Sequence, residues 1–145
     1  MNKKVFELAI YPYLMKRYNA MFEEIIEKYQ ISQIEIDVLA FLYNNPEYKK
    51  AQDIVDVRGI SKAYVSIAIE KLTQKNYLIR EPNPQNRRCN LLYITDEAQS
   101  LVNDILAVQG QYFAKAYEGF SKEDIVEYHR LMQKVYENLG GTNCG

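Results

Sequence analysis

Seven basic side chains, Arg58, Lys62, Lys71, Lys75, Arg80, Arg87 and Arg88, fall in a stretch of sequence that holds only two acids, Glu70 and Glu81. The whole chain carries a net charge of −1, so everything outside this stretch is acidic on balance. A basic segment within an acidic body suits a surface that presents one face to phosphate. The same charges could also be an ordinary solvated face. Other reactive residue types are sparse. His129 is the single histidine, and no second group sits at a spacing that would make it a ligand or a catalytic base. Cys89 follows Arg87 and Arg88, a setting in which a thiol can respond to oxidants. Cys144 is the other cysteine, and the pair forms neither a disulfide framework nor a metal-binding spacing. There is no nucleophile elbow and no glycine-rich phosphate loop. We therefore expect no catalytic residues, no metal and no cofactor, and a protein that is not an enzyme.

Tyrosine is the unusual residue, with 13 in 145 positions. Tyr11, Tyr13, Tyr18 and Phe22 cluster near the N-terminus, and Tyr43 and Tyr48 follow. Such residues can line a crevice for a planar ligand. They can equally pack a core or an interface with their hydroxyls at the rim.

The elements that must position these groups are helical. Apolar residues at Leu14, Tyr18, Met21, Phe22, Ile25 and Ile26 keep helical spacing within a first segment from about 5 to 29. Pro12 should kink that helix or sit in its first turn. Ser32 and Glu35 form a capping box for a second helix, which Asn44-Asn45-Pro46 ends. A short third helix covers about 50 to 57, and Gly59 provides a turn. Ser61 caps a fourth helix running to about Lys75, with Val65, Ala68, Ile69 and Leu72 inward and Asn76 as a left-handed cap. Two β-prone runs, 77–80 and 91–94, flank a turn-rich stretch from Glu81 to Arg88, giving a hairpin with a long polar tip. A long helix from Thr95 to about Tyr117 follows. Ser121 and Asp124 then cap a last helix lined by Ile125, Tyr128, Leu131, Met132 and Val135. The glycine-rich tail from Gly140 should fray. No apolar run approaches the ~20 residues that span a bilayer, and Met1-Asn2-Lys3-Lys4 leads into no cleavage-site pattern, so a cytoplasmic protein is expected.

The stretch from Ser61 to Thr95, SKAYVSIAIEKLTQKNYLIREPNPQNRRCNLLYIT, resembles the MarR family of bacterial regulators. Leu72, Leu78, Ile79, Arg80, Pro84, Arg87, Arg88 and Thr95 match the family pattern of helix, wing and following helix, and the resemblance runs over nearly the whole chain. Departures are Asn83 and Asn86 for the wing acids, Asn76 and Ala98 for two glycines, and Ile67 where many relatives carry a basic residue. Without a carboxylate to fix a wing arginine, the wing tip should be looser and more positive.

The resemblance implies a mainly α fold with a small β-hairpin. A winged helix-turn-helix lobe, 32–95, would be flanked by dimerisation helices at 1–30 and 96–140, in one unit over 1–145. It also implies a homodimer on double-stranded DNA, with recognition helices in successive major grooves and wings in the flanking minor grooves. Relatives respond to small phenolic or other aromatic ligands in a crevice between the two parts, or sense oxidation or metals. The family's thiol-based peroxide sensors place their cysteine in the first helix, which here has none.

On this reading the fourth helix presents Ser61, Lys62, Ala63, Tyr64, Ser66, Ile67 and Lys71 to DNA, where hydroxyl and ammonium groups meet base edges or phosphates and Ala63 can meet a thymine methyl. Arg87 and Arg88 reach a minor groove or the backbone. Tyr11, Tyr13, Tyr18, Phe22 and Tyr43 are the candidates for a ligand pocket. The resulting expectation is a ligand-responsive repressor that binds a palindromic operator. The alternatives are a winged-helix module that binds protein, against which the basic stretch argues, and a redox-responsive regulator acting through Cys89.

Overall fold

The computed structural model describes residues 1–141; Cys144 lies outside them, as does most of the tail expected to fray. The helix α1 spans Lys3–Ala20 and is capped by Asn2, whose side chain accepts from the Lys4 amide at 2.9 Å. It runs through Pro12. The carbonyl that Pro12 deprives of a partner belongs to Leu8, which is exposed, so water can satisfy it. The interruption falls instead at Met21 and Phe22, ahead of α2, Glu23–Tyr29. Phe22 is fully buried and Ile25 nearly so, and the bend is what lets them enter the core.

The centre of the fold is α3, Gln33–Asn44, on which every residue from Glu35 to Leu42 is buried. Its Ser32–Glu35 capping box forms as expected. The next helices are α4, Ala51–Arg58, and α5, Lys62–Gln74. Gly59, at φ 66°, makes the turn between them in a left-handed conformation that suits glycine. Val65, Ala68, Ile69 and Leu72 of α5 face inward. Asn76, at φ 64°, ends that segment in the left-handed region.

The strands β1, Leu78–Asn83, and β2, Asn86–Ile94, pair antiparallel from Leu78 opposite Ile94 to Asn83 opposite Asn86, with an irregularity at Pro82–Asn83. The expected long tip is thus mostly paired strand, and only Pro84 and Gln85 turn. Nor is the turn unsecured. Asn83 Oδ1 accepts from the Gln85 amide at 3.0 Å, and Asn86 Oδ1 accepts from the Arg88 amide at 3.1 Å. Asparagine fixes this wing through the backbone rather than through an arginine.

A short 3-10 turn, Asp96–Ala98, leads into α6, Gln99–Ala116, and Ser121 with Asp124 caps α7, Lys122–Asn138. The lobe from α3 to β2 packs around Ile36, Leu39, Ile54, Leu72 and Leu78, all fully buried, and Leu101 and Ile105 of α6 join them. The terminal helices differ. No residue of α7 is buried, and Val126, Leu131 and Val135 stand 67%, 47% and 43% exposed. Among the described residues no helix is long and apolar enough to cross a membrane.

Candidate nucleic-acid interface and aromatic crevice

Because Val65, Ala68, Ile69 and Leu72 fix one side of α5 in the core, its other side must face solvent. Ser61, Lys62, Ala63, Tyr64, Ser66, Ile67 and Lys71 are all exposed there. The Ser61 hydroxyl accepts from the Tyr64 amide at 3.3 Å, so Ser61 serves as the helix cap. Arg87 and Arg88 stand exposed on β2.

Lys62 and Ser66 of α5, Arg88, Cys89 and Asn90 of β2, Arg80 of β1 and Lys50 and Gln52 at the start of α4 line a single cleft of about 300 Å³. The helix α5 and the β1–β2 hairpin therefore meet across a shared basic surface. Lys71 lies apart from this cluster, beside Glu23, Glu27 and Lys75 towards α2. Lys50 and Gln52 are not among the sequence candidates, because they precede the basic stretch that begins at Arg58. Arg80 is already engaged. It donates to Glu70 at 2.7 Å, and this contact holds the Glu70 carboxyl below its usual range. Cys89 is half-buried, and its Sγ accepts from Asn86 Nδ2 at 3.5 Å.

A second recess, of about 270 Å³, lies between α1, the end of α4 and the C-terminal half of α6. Its walls are Tyr11, Leu14, Met15, Tyr18, Tyr112 and Phe113, with Arg58 and Gln109 as polar groups. Tyr18 packs edge-on against Phe22 and Tyr112, at centroid distances of 4.9 and 5.1 Å. Gln109 Nε2 donates to the Tyr18 hydroxyl at 2.9 Å, and Gln109 Oε1 accepts from Asn44 of α3 at 3.2 Å. This relay ties α1, α6 and the lobe together at the crevice. Burial pushes the Tyr18 phenol up, against the Gln109 hydrogen bond.

Of the five aromatic candidates, Tyr11 and Tyr18 line this crevice. Phe22 is sealed in the core behind Tyr18. Tyr43 borders a different groove with Tyr48, Tyr93 and Ile94, and Tyr13 is exposed on α1 away from either. Sequence reasoning missed Tyr112, Phe113 and Gln109. Continuing the α6 stripe from Val108 by one further turn reaches them.

Arg58 closes the α4 side of the crevice and also contacts Asp37 of α3, Nη2 to Oδ2 at 3.5 Å. Gln33 Nε2 donates to the other Asp37 oxygen at 3.1 Å. Burial pushes the Asp37 carboxyl up, against the opposing pull of Arg58 and Gln33. A second buried acid, Glu35, is paired with Lys75 at 3.1 Å. Among the described residues no cluster of His, Cys, Asp or Glu could hold a metal ion. His129 instead shares a hydrogen bond with the Tyr117 hydroxyl at 3.1 Å.

Comparison with known proteins agrees with this layout. The sequence model of the MarR family matches residues 29–88. The HTH-type transcriptional regulator MhqR of Bacillus subtilis is 26% identical over 110 residues, covering 76% of this chain and 75% of its own. Among solved structures, a MarR family regulator from Listeria monocytogenes complexed with 26mer DNA superposes with a TM-score of 0.78 at 18% identity, over 99% of both chains. Bordetella bronchiseptica BpsR, whose DNA binding is regulated by 6-hydroxynicotinic acid, superposes with a TM-score of 0.69 at 22% identity, over 92% of this chain and 98% of its own. These two structural likenesses speak for the fold. The family match covers the helix-turn-helix and wing, and there this chain is similar to transcriptional regulators of the MarR family, a non-enzymatic family.

Proposed function

We propose that the protein is a repressor that binds a palindromic operator as a homodimer and is released by a small aromatic acid. The observation that carries DNA contact is the convergence of Lys62 and Ser66 on α5 with Arg88 on the wing around one basic cleft. A helix N-terminus adds partial positive charge at the same place, since Ser61 caps α5 there. Tyr64 and Ile67, 60% and 53% exposed, have little reason to face water unless a groove covers them. Homodimerisation is supported by the uncovered apolar residues of α1 and α7, Phe6, Leu8, Val126, Leu131 and Val135, which a twin subunit would bury in an isologous interface. Control by an aromatic acid is supported by the crevice of Tyr11, Tyr18, Tyr112 and Phe113, which carries a cation, Arg58, at its edge. BpsR, of the same fold, is regulated by such a compound.

The test is fluorescence anisotropy on the intergenic DNA upstream of the gene, with salt and ligand as variables. With roughly 6–10 phosphate contacts, affinity should fall by about 10³–10⁵ between 50 and 200 mM salt. A flat titration would favour a protein-binding module. Addition of 6-hydroxynicotinic acid or benzoate should weaken binding, and Tyr18→Ala should blunt that response without abolishing DNA binding. Loss of affinity on peroxide treatment that Cys89→Ser prevents, with no effect of either acid, would replace ligand control by thiol control. Cys89 lies in the DNA-facing cleft and makes that alternative concrete.

A further inference from the structure

Arg58 has one anionic partner, Asp37, and also lines the aromatic crevice. Towards the lobe it meets Asp37, at 3.5 Å, a long contact for an ion pair. Towards α1 and α6 it borders the aromatic crevice. The Arg58 side chain is 32% exposed and the Asp37 side chain 9%, so the cation can swing outward and the acid cannot follow it. The groups that face Asp37 among the described residues are Arg58 from α4, Gln33 on its own helix and Tyr18 from α1, which itself faces Tyr112 of α6.

We infer that an aromatic carboxylate entering the crevice draws Arg58 away from Asp37, and that Asp37 takes up one proton from solvent as it does so. This rests on the ligand reading above and adds to it a coupling between effector and proton. The driving force is electrostatic. A buried carboxylate stripped of its cation is costly, and protonation removes the cost. Asp37 already holds its proton more tightly than an exposed aspartate, because burial outweighs Arg58. A receiver for the added proton is also in place. Gln33 Nε2 points at Asp37, while Gln33 Oε1 is buried and has no hydrogen-bond partner among the described residues. Rotating that amide by half a turn puts the orphaned oxygen where the nitrogen now lies, 3.1 Å from Asp37 Oδ1, ready to accept from a carboxylic acid. Arg58 is the last residue of α4 and adjoins the Gly59 turn into α5, so its displacement acts at the joint that sets the recognition helix.

The experiment is isothermal titration of the full-length protein with benzoate and, separately, with uncharged phenol. It is run in two buffers of different ionisation heat, from about pH 5 to pH 8. Benzoate should bind with uptake of up to one proton per crevice, and its affinity should fall by as much as about tenfold per pH unit across the Asp37 titration. Phenol should bind without proton uptake. Asp37→Asn should bind benzoate with no uptake and no pH dependence. Arg58→Gln should lose benzoate but keep phenol, a result that a misfolded variant would not give. If benzoate binds wild-type protein with no proton uptake at any pH, or if Asp37→Asn leaves the uptake unchanged, the coupling is wrong and the ligand reading stands. If neither benzoate nor phenol binds, the ligand reading fails and the coupling fails with it.

Discussion

The lobe from α3 to β2 and the last helix, α7, are built to different rules. From α3 to β2 the lobe encloses its own core, and Ile36, Leu39, Ile54, Leu72 and Leu78 are fully buried within a single chain. The helix α7 carries an apolar stripe of which no residue is fully buried: Ile125, Tyr128 and Met132 are half-buried, and Leu131 and Val135 are exposed. One region is finished by its own chain, and the other is left for a second surface to finish. Mutations in the two should therefore differ in kind: lobe mutations should change stability at every concentration, and α7 mutations should change it in a concentration-dependent way.

The largest effects test that difference directly. Leu72→Ala should cost about 2–5 kcal/mol at any protein concentration, as a cavity in a closed core does. Leu131→Asp should split the proposed dimer in sedimentation. Its urea midpoint should then match that of wild-type protein diluted to the monomer. Equal concentration dependence in both variants would erase the distinction between the regions.

Next in size is the buried ion pair of the lobe. Lys75→Met leaves the Glu35 carboxylate, 2% exposed, with only the Ser32 amide and hydroxyl as donors. Breaking such a pair from one side costs about 3–5 kcal/mol when both partners are deeply buried. Lys75 is a third exposed, so the loss should lie at or below the lower end of that range, read from chemical denaturation. Adding Glu35→Gln should recover part of it.

A smaller effect belongs to the caps. Ser121→Ala removes an acceptor for the Asp124 amide and should cost about 1 kcal/mol. If α7 folds only when covered, that loss should appear in the dimer dissociation constant and not in the unfolding of the lobe.

The smallest effect is a slope with pH. Folded Asp37 keeps its proton to a higher pH than the unfolded side chain does. Between the two titrations the folded state binds more protons, so stability falls as pH rises. Asp37's unfavourable contribution is absent below the unfolded value, ~3.9, and complete once pH exceeds the folded one. Asp37→Asn should flatten that slope in thermal melts over the same range, leaving the variant at least as stable as wild type at neutral pH.

Much of the lobe was legible from sequence because its signals are local. The Ser32–Glu35 box, Gly59, the Ser61 cap and Asn76 each act within a few residues, and each sits where the spacing puts it. The break at Phe22 was not legible, because its cause is a distant core that Phe22 must reach. Proline at position 12 drew attention to the wrong place, since an exposed helix can hydrate the carbonyl it orphans. The wing shows a similar limit. Losing its acids suggested a looser tip, yet asparagine can bind backbone amides without a charge. The crevice was half legible: the N-terminal tyrosines announce themselves, whereas Arg58 had been counted only as one more positive charge near DNA.

The Lys75 ammonium has a mechanical meaning beyond its ion pair. Besides Glu35 it donates to the Gln30 carbonyl at 2.6 Å, so the far end of α5 is pinned to the joint between α2 and α3. With 13 residues at ~1.5 Å each, α5 is a stiff rod of about 20 Å whose N-terminal end carries Lys62 and Tyr64. A rod pinned at one end behaves as a lever. A tilt of about 10° about the Lys75 pivot moves the Lys62 end by ~3.4 Å, one base-pair step of DNA. If α5 reads DNA as proposed, so small a swing would shift its contacts by a whole letter, and in a twofold assembly both copies would fall out of register together.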